Sequence, residues 1–257
     1  MDYQNLVLDE QGGVLTVTVH RPRARNALSH AMLSELRHLL STLSGPRAVL
    51  LTGAEGPAFI AGADIREMAS MTPEEGEAFG ALGQEVTRLL EQLPVPVVAC
   101  VDGYALGGGC EMALACDFVY ATGKAVFGQP EVLLGLIPGF GGCVRLFRRV
   151  GVARAREMIY SGRRVDAAEA HRIGLVNQVF DTREEMFAAA RLVLADIAAN
   201  SPDAVATCKA TLRAVDGLPV DAGLRAELDA FRRTFTTADM REGTSAFLAK
   251  RTPVFRQ

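Results

Sequence analysis

The chain of 257 residues is long enough for one large domain, or for one domain with a small appendage. Its hydrophobic fraction of 49% supports a substantial core, and its net charge of −3 leaves no basic footprint for nucleic acid. No apolar run reaches the roughly 18 residues of a membrane span.

The five cysteines, Cys100, Cys110, Cys116, Cys143 and Cys208, form no CxxC pair and no Cys/His spacing suited to a metal. Their odd number and mostly apolar surroundings read as buried thiols in a reducing compartment. The stretch Met1–Leu6 carries neither a signal-peptide core nor a transit-peptide character. A soluble, cytoplasmic protein with no membrane, metal or nucleic-acid partner is expected.

Val14–Val19 alternates with period two and reads as a strand. His20–Asn26 is a basic loop. A helix follows from His30 to Leu43, with Ser29 or Asn26 as candidate caps. Arg47–Gly53 is a second buried strand and 54–57 a loop. Residues 58–68 form an apolar approach to a glycine turn at Ala61-Gly62-Ala63. A helix then runs from near Pro73 to near Leu93.

The next stretch is the one around which the rest is organised. Val95–Val101 reads as a buried strand. Beyond it, Gly107-Gly108-Gly109 leads into an alanine-rich helix, so the glycines mark a strand-to-helix turn. Three glycines in a row cost chain entropy and pack nothing. They suit a sharp bend whose N–H groups another atom must approach. A helix start offers unpaired N–H groups and a positive dipole end. Glu111 lies in the first turn of that helix. It can cap its own helix or do chemistry, and its neighbourhood alone does not decide. Neither G-x-G-x-x-G nor a P-loop pattern is present.

Phe118–Ala121 is a strand and Thr122-Gly123 a turn. Residues 124–131 lead to a second acid, Glu131. Leu136–Gly142 is a third glycine turn with a helix after it. Leu175–Phe180 is the last clear strand. From Arg183 the pattern is helical, broken near Ser201-Pro202 and Gly217–Pro219. Strands and helices alternate in the first part, which predicts an α/β fold with parallel sheet and crossover helices. The division expected is a core over 1–200 and a helical region over 201–257. That region can barely bury itself and is expected to pack on a neighbouring subunit.

Two glycine turns can each offer a backbone N–H to one oxygen. Glu111 and Glu131 lie 20 residues apart, with one strand read between them. That spacing can return both carboxylates to one pocket, where they could flank a water as acid and base.

Taken together, these residues resemble the crotonase, or enoyl-CoA hydratase/isomerase, superfamily. The resemblance runs from Arg21–Leu28 through Ala61–Ile65, Gly103–Glu111, Phe127–Glu131, Ile137–Gly139 and Ala168–Val176. It implies a stack of β-β-α turns followed by a helical trimerisation region. It also implies that the amides of Ala63 and Gly108 form an oxyanion hole for a thioester carbonyl. Glu111 and Glu131 match the catalytic pair of true hydratases, with Glu111 activating water and Glu131 delivering the proton. The backbone of Ala24, Ala61 and Ile65 would cradle the adenine of coenzyme A. Arg23 and Arg25 would be near its phosphates, with Lys250 and Arg251 a further candidate. Asp64 adjoins the same region, although capping a helix is its local role. Gly139 would line the catalytic pocket at a helix start.

The implied substrate is an acyl-CoA thioester, with no separate cofactor, and the implied assembly is a homotrimer or a hexamer built as a dimer of trimers. Phe140, Cys143-Val144 and Ile60 depart from the family's common residues, and Phe140 and Val144 are expected to shape the acyl pocket. The alternatives are a hydratase for 3-methylglutaconyl-CoA or another branched or dicarboxylic substrate, a positional isomerase, and a non-catalytic coenzyme A or RNA binder. Arg145 and Arg148 could face a distal carboxylate but read as surface residues. The four histidines read as surface residues, and Asp117 and Tyr104 as structural.

Overall fold

The computed structural model describes residues 3–255. Met1 and Asp2, within the stretch read for a leader, lie outside the described residues, as do Arg256 and Gln257. The chain folds as β1 (Leu6–Gln11), β2 (Val14–Val19), α1 (His30–Thr42), β3 (Ala48–Gly53), β4 (Ala58–Ile60), α2 (Ile65–Met68), α3 (Pro73–Gln92), β5 (Val97–Val101), β6 (Tyr104–Leu106) and α4 (Gly108–Leu114). It continues with β7 (Phe118–Thr122), β8 (Val126–Gly128), α5 (Gly142–Val150), α6 (Val152–Ser161), β9 (Arg164–Asp166), α7 (Ala167–Arg172), β10 (Gln178–Phe180) and α8 (Arg183–Ala198). The tail holds α9 (Pro202–Val215), α10 (Val220–Thr234) and α11 (Ala238–Leu248).

The strands form two sheets. One has six strands in the order β1-β2-β3-β5-β7-β10, and the other has four in the order β4-β6-β8-β9. The pairs are parallel except β1 with β2 and β8 with β9. From β3 to β8 the chain lays one strand on each sheet in turn, so β3-β4, β5-β6 and β7-β8 stack as successive β-β turns. Helices α2 and α3 follow the first turn and α4 the second. This is the α/β stack expected.

β2, β3, β5 and β7 of the larger sheet were legible because they are largely buried, mostly apolar runs. β3 and β5 are buried at every position. The strands of the smaller sheet span three residues each, too short for a period-two signal. Hence the strand immediately before the three glycines is β6, not the Val95–Val101 run. Two strands, β7 and β8, separate Glu111 from Glu131 rather than one. β1 was not read either, because five of its six residues face solvent. It pairs with β2 through Gly12-Gly13, both at positive φ, as a tight hairpin requires. The last strand covers only Gln178–Phe180 of the run expected.

Ser29 caps α1 by accepting from the Met32 amide at 3.2 Å. Asn26 does not cap. Its side chain is buried and ties Arg21 to Ala58 across the basic loop. Thr72 and Glu75 form a capping box at the start of α3, with Pro73 in its first turn. Cys100, Cys110 and Cys116 are buried as expected, but Cys143 and Cys208 are exposed, because each lies on the outer side of an amphipathic helix.

The tail breaks where expected and once more at Phe235–Thr237. α9 buries none of its residues and α10 only Ala230. Leu212, Leu228, Phe231 and Phe247 are all more than half exposed. α9 is nevertheless tied to the core. The Lys209 ammonium donates to Leu90 O, Val95 O and Asp117 Oδ2 at 3.2, 2.9 and 2.8 Å. Asp117 also accepts from the Val97 amide, which confirms its structural role. No helix among the described residues is long and apolar enough to cross a membrane.

Candidate active site

The glycines of the central turn are explained by what surrounds each of them. A Cβ on Gly109 would overlap the carbonyl oxygen of Ile60, so α4 lies directly against the backbone of β4. Gly107 has φ 50° and ψ −123°, which side chains disfavour, and a Cβ there would meet Glu131 Oε1 at 2.9 Å. A Cβ on Gly108 would touch Leu28 and Phe140 at 3.1 Å. It therefore points at the wall of the site rather than into the space a ligand would take, contrary to what the turn alone suggests.

α4 is seven residues long and buried throughout, and it carries Glu111 into the interior at 1% exposure. The helix cannot satisfy that carboxylate, so the loop before α5 does. Glu111 Oε1 accepts the amides of Phe140 and Gly142 at 2.8 and 2.6 Å. Oε2 accepts no hydrogen bond among the described residues. Glu131 begins a 3-10 turn over Glu131–Leu134 and stays partly exposed. Gln129, fully buried, satisfies its surroundings with its NH₂ turned to Glu131, at 2.9 Å from Oε1 and 3.2 Å from Oε2. Sequence reading missed Gln129 as a site residue; its place two residues before the acid was the available signal.

A cavity of about 330 Å³ joins these parts. Glu111, Glu131, Gly108 and Ala63 all line it, as do Ala61, Ile65, Gly139 and Phe140. Gly139 stands three residues before α5 rather than at its first turn. The amides of Ala63 and Gly108 donate to no acceptor among the described residues, because the Leu28–Ala63 bridge uses the carbonyl of Gly62 and the amide of Asp64, and Gly108 opens its helix. Both are thus available to one oxygen.

The other expected residues lie outside this cavity. Arg23 and Ala24 belong to a 3-10 turn over Pro22–Ala24. Arg25 lines an adjoining groove of about 360 Å³ with Tyr104 and Arg164, and the groove shares Ala61 and Pro130 with the cavity. Asp64 caps α2 through the Arg66 amide at 3.2 Å and pairs with Arg21 at 3.1 Å. Val144 is half exposed and does not line the cavity, because it sits on the outer face of α5; only Phe140 of the two shapes it. Arg148 pairs with Asp216. Arg145 is not a surface residue: its side chain is 15% exposed and held by Glu91.

Burial pushes Glu111 up to about 7. The amides of Gly142 and Phe140 and the Arg145 cation oppose the rise, and nearby Glu131 adds to it. Glu131 is pushed up to about 6, again by burial. At Glu111 repulsion from Glu131 is thus secondary to desolvation, and at Glu131 burial is the cause that raises it. A carboxyl with a raised folded-state pKa binds its proton more tightly when folded. Its stabilising effect is complete below the ordinary value of 4.5 and is lost as pH rises to about 7. Glu111→Gln is therefore expected to melt above the wild type at about pH 8, with the gap closing toward pH 4.5. Thermal melts across that range check this; a gap that widens on acidification contradicts it.

Two free amides, an apolar cavity and two carboxyls with raised pKa values can hold a carbonyl that gains negative charge while protons move beside it. The chain matches the family described as enoyl-CoA hydratase/isomerase over residues 9–257. It is 42% identical over 254 residues to a short-chain-enoyl-CoA hydratase of Clostridium acetobutylicum, covering 98% of this chain and 97% of that one. It is 41% identical over 254 residues to a crotonyl-CoA hydratase of Syntrophomonas wolfei, with the same coverage. A crystal structure of an enoyl-CoA hydratase from Bacillus anthracis superposes with a TM-score of 0.93 at 39% identity, over 98% of this chain and 99% of that one. With its stacked β-β turns, its glycine turn and both acids in one cavity, the chain belongs to the enoyl-CoA hydratase/isomerase family.

Proposed function

We propose that the protein is an enoyl-CoA hydratase that adds water reversibly across the double bond of a 2-trans-enoyl-CoA. The observation that carries this reading is the shared cavity of Glu111, Glu131 and the unpaired amides of Ala63 and Gly108. The thioester oxygen takes the two amides. Glu111 removes a proton from water as its oxygen bonds to Cβ. The π electrons of the double bond move through Cα onto the carbonyl oxygen, where the amides stabilise the charge. Collapse of that enolate takes a proton from Glu131 onto Cα. Dehydration runs the same steps backward. The groups of the chain and the thioester account for every step, and no further cofactor is assigned.

Positional isomerisation needs one acid that shuttles a proton. The two acids held separately, Glu111 by amides and Glu131 by Gln129, favour the hydratase. A distal carboxylate on the substrate would need a free cation. Arg145 and Arg148 are engaged with Glu91 and Asp216, which disfavours the 3-methylglutaconyl reading. A non-catalytic coenzyme A or RNA binder would have no use for two acids brought into one cavity.

A short acyl chain fits best. The cavity is at the small end for ligand sites, and the ring of Phe140, 4% exposed and edge-on to Phe79, forms one wall of it. Coenzyme A would leave along the groove lined by Arg25. Loss of enoyl-thioester absorbance tests the function. Turnover is expected with crotonyl-CoA, with kcat/KM about tenfold lower or less by a ten-carbon chain. No absorbance loss with any straight-chain enoyl-CoA would sink the reading.

The division into a core over 1–200 and an oligomerisation region over 201–257 is supported by the apolar residues that α9–α11 leave exposed. We infer a trimer or a dimer of trimers in a reducing, cytoplasmic compartment, the latter from the unpaired cysteines. Light scattering decides the assembly; a 27.5 kDa particle at micromolar concentration contradicts it.

A further inference from the structure

One face of α3 is devoted to the loop that holds Glu111. Gln84 donates to Gly139 O at 2.9 Å. The Thr87 hydroxyl, on a fully buried side chain, lies 3.0 Å from Phe140 O and also from Gln84 O of its own helix. One turn on, Glu91 grips Arg145 through both oxygens at 2.7 Å, and Arg145 in turn donates to Phe140 O at 3.0 Å. These three residues of α3 recur at helical spacing, so they share a face. Gly83 leaves that helix bare where the ring of Phe140 lies; a Cβ there would overlap the ring.

The carbonyls so held belong to the segment whose amides hold the acid. The peptide unit between Gly139 and Phe140 is a rigid plane, with the carbonyl at one end and the Phe140 N–H at the other. Gln84 fixes the first end and Glu111 Oε1 receives the second. Arg145 and Thr87 fix the next carbonyl, two residues before the other amide donor, Gly142. A neutral side chain in the place of Arg145 would leave Phe140 O with a shared hydroxyl proton alone. A guanidinium fixed by a bidentate carboxylate is the stiffest of these supports.

We propose that Gln84, Thr87 and the Glu91–Arg145 pair are positioning residues for the hydration step, acting on Glu111 through the 139–142 segment. The proposal rests on the hydratase reading, in which Glu111 activates the water. A displacement of the order of 1 Å at a catalytic group costs on the order of 10²-fold in rate. Loosening the segment is therefore expected to lower kcat more than it weakens substrate binding.

The test uses the full-length protein with Arg145→Lys, Glu91→Gln, Thr87→Val and Thr87→Ser. Arg145→Lys and Glu91→Gln are each expected to lower kcat for crotonyl-CoA by about 10- to 100-fold, with KM changed by less than about threefold. Combined, they are expected to lose little more than Arg145→Lys alone, since they act as one unit. Thr87→Val is expected to lose less, and Thr87→Ser to restore it. Amide hydrogen exchange over 136–142 is expected to quicken in the impaired variants, with no matching change over β3 and β5. Folded variants that keep wild-type kcat overturn the proposal, as does unchanged exchange over 136–142. If Arg145→Lys does not fold, Glu91→Gln and Thr87→Val decide by the same readouts. A wild type inactive on every enoyl-CoA would refute the hydratase reading instead, and exchange would still judge whether α3 holds the segment.

Discussion

Glu111→Gln and Glu131→Gln are each expected to lower kcat for crotonyl-CoA by about 10² to 10⁴ while folding normally. The carbonyl oxygen of a Gln at 111 can still accept the Phe140 and Gly142 amides that hold Glu111 Oε1. What is lost is the basic oxygen, Oε2, to which no protein group donates among the described residues. At 131, the oxygen of a Gln can accept from the Gln129 amide, so that support survives as well. The double variant is expected to lose much less than the product of the two losses, because one proton enters as the other leaves. Circular dichroism and steady-state kinetics on the same preparations separate chemistry from folding. A single variant with near-wild-type turnover would remove that residue from the mechanism.

Gly107→Ala is expected to lower kcat by at least about 10², and Gly108→Ala by less. The turn read in isolation suggests the reverse order, since Gly108 donates the amide and Gly107 only precedes it. The geometry inverts this. At Gly107 the backbone holds φ 50° with ψ −123°, and an added Cβ would press on Glu131 Oε1. One substitution therefore twists the amide donor and displaces an acid. At Gly108 the Cβ would meet the ends of Leu28 and Phe140, which need to give by only a few tenths of an ångström. Gly108→Val, with two more carbons against the same wall, is expected to approach the Gly107→Ala loss. Titration with butyryl-CoA alongside kcat shows whether binding survives. Equal kcat for wild type and Gly107→Ala would show that the turn's geometry does not govern the oxyanion donors.

Most of the larger sheet and several long helices were legible because the buried strands are largely continuous apolar runs and α1, α3 and α8 carry their own caps. Thr72 with Glu75 and Ser29 before α1 are examples. The strands of the smaller sheet were not legible, because three residues carry no period. Glu111, Glu131 and the glycine turns stood out as a polar and flexible minority in apolar surroundings. Their partners did not. Gln129, Thr87, Glu91 and Arg145 are ordinary residues on helices and loops, and their importance lies in contacts across long stretches of chain. Arg145 meets Glu91 across 54 positions, which no local pattern reports. Val144 was misplaced for a related reason: Phe140 belongs to the loop before α5, whereas Val144 stands on the outer face of that helix, so proximity in sequence did not bring it to the cavity.

The anchoring of Lys209 has a consequence for how copies of this chain can exchange. All three protons of its ammonium are given to acceptors of its own core, at the end of α3, before β5 and at Asp117. An ammonium has three donors, so none remains for a neighbour. Helix α9 therefore travels with the core that made it, and in the proposed assembly the apolar residues it shows to solvent would meet a neighbour only after that docking. Swapping of α9 between chains would have to break this anchor first, at the cost of a largely buried cation left without acceptors. In the trimer or hexamer proposed above, subunits would thus join and leave as finished pieces, with α9 still attached to its own core.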